Sequence, residues 1–208
     1  MRSFTITFFV MLTLSLTSCA TLSEDECLAM DWALIGFEDG AEGFPPQRIG
    51  QHREACAKFG VTPNTQAYRR GRDDGLREYC RPANAYSVGM DGKEYKGVCP
   101  SSMADAFSDA YEDGRHLHQL KETVQHTNSE ITTDESRLDK NERSLVKLEE
   151  KLVNGNNTTE ERQNLVVANR ELAEEIGHLR HHLRDLQVRL AREEYELALY
   201  RNTHHNSY

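Results

Sequence analysis

The sequence predicts an all-α protein, a small disulfide-stapled helical head followed by a long antiparallel coiled-coil hairpin. Three observations predict it. A hydrophobic repeat in the second half reverses about a Gly/Asn break; four cysteines beyond Cys19 all lie at or before Cys99; and no segment alternates apolar and polar residues as a half-buried strand would. The repeat runs Leu117, Leu120, Val124, Thr127, Ile131, Asp134, Leu138, Asn141, Leu145, Leu148, Leu152, and resumes as Leu165, Asn169, Leu172, Ile176, Leu179, Leu183, Leu186, Leu190, Glu193, Leu197, Tyr200. Steps alternating between about three and four keep one seam facing a partner helix. Between the two runs, Asn154-Gly155-Asn156-Asn157 tolerates left-handed backbone and ends the first helix. Thr158 with Glu161 then starts the second with capping-box chemistry. Folding about Gly155 pairs Leu138 with Leu172, Leu145 with Leu165, and the polar Asn141 with Asn169. The hairpin is therefore expected over 101–203 with its turn at 154–157, followed by a frayed tail, 204–208.

From the start of the chain, residues 1–18 have the form of an export signal. Arg2 supplies the positive end, and the stretch from Phe4 to Leu16 is mostly apolar and too short for a spanning helix. The run Leu16-Thr17-Ser18-Cys19 resembles the bacterial lipobox, whose cysteine receives lipid and becomes the new N-terminus. Several acyl chains give a stable anchor where one is marginal. Ala20 follows the cysteine, and by resemblance to bacterial lipoproteins, which carry Asp there for inner-membrane retention, the chain is expected at the outer membrane, facing the periplasm. Residues 19–24 form the lipidated tether.

The Cys-rich head spans 25–100. Cys27, Cys56, Cys80 and Cys99 are even in number in an exported chain, which implies two disulfides. Three connectivities are open; pairing Cys27 with Cys56 and Cys80 with Cys99 is favoured because each pair brackets one local unit. A four-thiolate zinc site lacks any Cys-x-x-Cys knuckle. Helices are expected at about 25–41, about 48–59 ending at Gly60, and about 63–80 with Thr62 as cap and Pro63 in first position. Arg81-Pro82-Ala83-Asn84 and 91–100 look like loops around a helical turn at 85–90, and Ser101 or Ser102 caps the next helix.

A short motif recurs in the head. Ala67-Tyr68-Arg69-Arg70-Gly71, Ala85-Tyr86-Ser87-Val88-Gly89 and Ala110-Tyr111-Glu112-Asp113-Gly114 share Ala-Tyr-x-x-Gly, and Trp32-Ala33-Leu34-Ile35-Gly36 is a looser relative. Gly36 with Gly40, and Gly71 with Gly75, lie four apart, on one helical face where a second backbone can come close. The sets Cys27 to Gly40, His52 to Cys56, Tyr68 to Cys80 and Tyr95 to Pro100, together with the leucine-rich tail, resemble the bacterial lipoproteins of the domain of unknown function 2799 family. The resemblance extends over essentially the whole mature chain. It implies an envelope location and brings no activity with it.

Composition narrows the function classes. Lys plus Arg number 25 against 34 Asp plus Glu, for a net charge of −9, which disfavours nucleic acid as a partner. His52, Glu54 and Cys56 are the nearest approach to a catalytic triad, but on a helix Glu54 points away from the other two and Cys56 is expected to be oxidised. Asp31 with Glu38 or Asp39 offers a carboxylate pair for glycan chemistry with no fixed separation. His178 and His182 stand at metal-chelating spacing with His181 between them, but they flank the seam among arginines and are read as solvated surface. No calcium loop pattern is present. The reading is a non-catalytic interaction module that needs no metal or cofactor, is held to the membrane through Cys19, and docks an envelope protein or another copy through the seam region that includes Leu117, Val124, Leu138, Asn141, Leu145, Asn169, Leu172 and Leu179. The alternative is a small envelope enzyme or peptidoglycan-binding head with the hairpin as spacer.

Overall fold

The computed structural model describes residues 23–204, and every regular element there is helical. The export signal, Cys19 and His205 to Tyr208 lie outside the described residues. The helices are α1 (Glu24–Leu28), α2 (Trp32–Ala41), α3 (Arg48–Ala57), α4 (Thr65–Tyr79), α5 (Pro82–Met90), α6 (Ser101–Asn154) and α7 (Thr159–His204). They form two compact units, divided between Arg77 and Glu78 in the last turn of α4.

In the first unit α2 and α4 approach backbone to backbone at the four glycines. A Cβ on Gly36 would lie 2.0 Å from the carbonyl oxygen of Tyr68, and one on Gly71 1.8 Å from that of Ala33. Gly40 and Gly75 meet Arg72 and Phe37 in the same way, at 2.3 and 2.0 Å. The expected single helix at 25–41 is instead two, because Asp31 accepts from the N–H groups of Ala33 (2.9 Å) and Leu34 (3.3 Å) and so caps a new start. The cap of α4 is Asn64, whose side chain accepts from Ala67 N–H at 3.0 Å, rather than Thr62; Pro63 lies buried ahead of the helix. A disulfide joins Cys27 to Cys56, both buried. Closing a loop of this size contributes about 3.6 kcal/mol by the chain-entropy account.

The second unit uses the same device. Gly89 of α5 would place a Cβ 2.2 Å from Tyr111 O of α6, and Gly114 of α6 one 2.1 Å from Tyr86 O of α5. Arg81 to Asn84 is not a loop: Pro82 takes the first helical position of α5, where its missing N–H costs nothing. Pro100, not a serine side chain, occupies the cap position of α6. The 91–100 loop is tied down by the Cys80–Cys99 disulfide and by aromatic rings. Tyr95 packs on Phe107 (4.5 Å between centroids) and Phe107 stacks on Tyr79 (5.3 Å). Tyr111 OH donates to Lys93 O at 3.0 Å and accepts from Tyr95 N–H at 3.3 Å, and burial pushes the Tyr79 phenol above its ordinary pKa.

Helices α6 (54 residues) and α7 (46 residues) make the antiparallel hairpin. Lettering the repeat a to g, α6 carries a at Leu117, Val124, Ile131, Leu138, Leu145 and Leu152, while α7 carries d at Leu165, Leu172, Leu179, Leu186, Glu193 and Tyr200. Ile131, Leu183 and Leu186 form its buried centre, with Leu138 and Leu190 against it. The register differs from the expected one by a heptad. Arg137 bonds Glu175 at 3.3 Å and Arg180 bonds Glu142 at 2.7 Å, two bridges that slant oppositely about one level. Midway between them, Leu138 is level with Leu179 rather than Leu172, and Asn141 with Ile176 rather than Asn169. A slip of one heptad is about 10 Å along the axis. In this register the seam residues from Leu117 to Leu152 meet those from Tyr200 to Leu165 with none left over. The expected register strands two at each end of the pairing.

The cause is the turn. Gly155 is extended (φ −84°, ψ 141°), not left-handed, so the chain leaves α6 without folding back at once and reverses over residues 155–158, before α7 opens at Thr159. Asn157 Nδ2 donates to Lys151 O at 2.8 Å and closes the end of α6. The capping box forms as expected: Thr158 N–H donates to Glu161 Oε2 (2.8 Å), and Glu161 N–H donates to Thr158 Oγ1 (3.2 Å). Hydrogen bonding of the carboxyl to the Thr158 backbone N–H, and then to the Thr158 side chain, holds Glu161 below its usual pKa. Because each seam Asn now faces an apolar residue, the Nδ2 atoms of Asn141 and Asn169 are buried without a hydrogen-bond partner. Asn141→Leu is therefore expected to raise hairpin stability by about 1–2 kcal/mol, seen as a higher urea midpoint at unchanged slope.

Candidate functional site

Three places bring chemistry-bearing side chains together. The first is a polar knot inside the first unit. Asp39 on α2 is 6% exposed, Tyr68 on α4 1% and Arg72 on α4 9%. Asp39 Oδ2 accepts from Tyr68 OH at 2.6 Å and pairs with His52 Nε2 of α3 at 2.8 Å, and Arg48 Nε lies 3.8 Å from Oδ1. Burial, then the hydrogen bond to Asp39, raise the Tyr68 phenol far above its ordinary pKa. Arg72 donates to Phe44 O at 2.8 Å, and its Nε has no hydrogen-bond partner. The residues that sequence reasoning singled out nearby are not assembled with the knot. Asp31 caps the opposite end of α2, eight residues and about 12 Å from Asp39, beyond the spacing at which two carboxylates share a glycosidic bond. Glu54 is exposed and Cys56 is in its disulfide.

The second is one flank of the hairpin, where c and g positions line an open groove of about 560 Å³. Histidines His126, His178 and His182 lie there with Glu130, Asp134 and Glu175. Asp134, 8% exposed in the seam, pairs with Arg137 (3.4 Å) and His182 (3.6 Å). His181 points to the outer face, 3.2 Å from Asp185. Among the described residues no three His, Cys, Asp or Glu side chains are close enough together to hold a metal ion.

The third is the opposite flank near the turn, formed by e and b positions. Val146 (53% exposed) and Val153 (80%) of α6, both at b, stand there with Val166 (53%) of α7 at e, and Val167 (55%) follows at f on the adjoining outer face. The register puts all four within about 10 Å along the axis. Of the predicted seam residues, Leu117 and Leu179 are buried and Val124 half-buried; Leu138, Asn141, Leu145, Asn169 and Leu172, toward the turn, are also only half-buried. The valines escaped sequence reasoning because it looked along the seam. A signal was present, since Val146 and Val153 repeat at a seven-residue step one place beyond a.

No curated protein and no solved structure is significantly similar to the chain. A family model described as a protein of unknown function (DUF2799) matches residues 31–116. That is narrower than the resemblance read over the whole mature chain: it takes in both glycine crossings and stops where α6 leaves α5, so nearly all of the hairpin lies outside it. Over residues 31–116 the chain is similar to the DUF2799 family.

Proposed function

We propose that this protein is a structural, protein-interaction lipoprotein of the outer membrane, tethered through Cys19 on the periplasmic face and acting through its hairpin without catalysis. The observation that supports it best is the far end of the hairpin. From Leu117 to Leu152 the arm extends on the order of 50 Å from its base on α5, and below its polar tip its sides carry four exposed valines, Val146, Val153, Val166 and Val167. Apolar side chains clustered on an otherwise charged rod mark a contact surface. No described helix is long and apolar enough to cross a membrane, and the attachment proposed here is the lipid on Cys19.

One observation favours the alternative, a small enzyme or glycan-binding head. His52 is oriented by a buried carboxylate, an arrangement that general bases also use. Photo-cross-linkers placed singly at Val166 and at Gln51 in the intact envelope separate the two readings. The first expects protein adducts at Val166; glycan adducts at Gln51, with none at Val166, would replace it by the second.

A further inference from the structure

We propose that the e/b flank near the turn seats a second copy of this chain, the two hairpins lying side by side in the same direction as a four-helix bundle. The inference rests on the interaction-module reading and supplies its partner. Two features of this flank call for a cover: its three valines, Val146, Val153 and Val166, are exposed, and the seam leucines beneath them, Leu145, Leu148, Leu152, Leu165 and Leu172, are only half-buried, whereas Leu179, Leu183 and Leu186 nearer the base are buried.

The charges decide what covers it. On this flank α6 presents the exposed acids Glu135, Asp139 and Glu149, and α7 presents the exposed bases Arg170, Arg180 and Arg184. In the observed register Arg170, Arg180 and Arg184 lie about 3 Å along the axis from the levels of Glu149, Asp139 and Glu135 respectively, the same offset each time. A two-fold axis parallel to the hairpin lays α6 of one copy over α7 of the other, so all three acids meet bases twice, while valine meets valine at the tip. A two-fold axis across the hairpin lays α6 over α6, acid on acid, and separates the valine clusters. The interface is thus self-complementary in one orientation only. Arg180 and Asp139 already hold exposed pairs with Glu142 (2.7 Å) and Arg143 (2.6 Å), so the test leaves them alone. Of the residues it changes, Arg170 has an exposed pair with Glu174 at 3.0 Å, of the kind that contributes little.

The test is a charge swap on the full-length protein, read by sedimentation. An acid-for-base variant carries Arg170→Glu and Arg184→Glu; a base-for-acid variant carries Glu135→Arg and Glu149→Arg. The unaltered protein is expected to dimerise, and either variant alone to associate roughly 10- to 100-fold more weakly, because four interfacial pairs turn repulsive. The two variants mixed are expected to form a heterodimer. A folding defect would not be repaired by mixing. An unaltered protein that stays monomeric at about 100 μM, well above the micromolar range of specific interfaces, overturns the proposal, as does a dimer indifferent to the swaps. If the protein is monomeric yet Val166 cross-links to a different protein, the interaction reading stands and this inference alone fails.

Discussion

Gly71→Ala is expected to unfold the first unit, with a loss of about 3 kcal/mol or more, although it adds one methyl group to an exposed-looking helix. The methyl carbon would sit 1.8 Å from the carbonyl oxygen of Ala33 and 2.7 Å from its carbon. Those are backbone atoms inside α2, so relief requires the helices to part. Parting them also disturbs Gly36 against Tyr68, Gly40 against Arg72 and Gly75 against Phe37, since all four contacts belong to one crossing. Gly50 of α3 provides the control within the same unit. Nothing lies within 4 Å of a Cβ added there, so Gly50→Ala should stabilise the chain by about 0.5–1 kcal/mol through helix propensity. Denaturation followed by the near-ultraviolet signal distinguishes them; equal small effects would mean that α2 and α4 do not touch at these glycines. The corresponding change in the second unit, Gly114→Ala, meets Tyr86 O at 2.1 Å and Met90 N at 2.8 Å.

What the sequence makes legible divides along the range of the interactions. The seam of the hairpin is local, a period written into each helix, and both arms are helical over the span where the period holds. Its register is not local to either arm. It depends on how the chain travels from Gly155 to Thr158, and a Gly-Asn stretch is compatible with a left-handed reversal or with the extended exit that occurs. Matching Asn141 to Asn169 chose the first; a count of seam residues left unpaired chooses the second. The glycines behave similarly. Their spacing exposes a bare helical face, but Ala-Tyr-x-x-Gly sets Gly71 beside Gly114, whereas contacts make Gly75 its counterpart: Gly75 abuts Phe37 O and Ala41 N as Gly114 abuts Tyr86 O and Met90 N. The polar knot was least legible, because Asp39 meets His52 and Tyr68 across 13 and 29 residues, with no periodic pattern joining them.

That correspondence between the units gives the polar knot its sharpest test. If Gly40 corresponds to Gly89 and Gly75 to Gly114, then Asp39 corresponds to Val88, and Tyr68 to Phe107. Both aromatics are buried, at 1% and 0%, and Val88 is 8% exposed against 6% for Asp39. The second unit thus achieves the same glycine crossing with an apolar pair where the first holds a carboxylate and a phenol. Asp39→Ala is expected to cost about 3 kcal/mol, because the buried Tyr68 hydroxyl loses its acceptor while His52 loses its hydrogen-bond partner and Arg48 its counter-charge. Asp39→Val combined with Tyr68→Phe should recover most of that loss, since both buried polar groups leave together and the His52 and Arg48 side chains, 17% and 35% exposed, lie near enough to the surface to turn to water. A double-mutant cycle read by urea denaturation measures the coupling. Recovery would mean that the crossing has no need of Asp39 and Tyr68 for its stability, and that the knot is held in the fold for something other than holding it together. If the double variant is as unstable as Asp39→Ala, the correspondence with Val88 and Phe107 fails and the knot is structural.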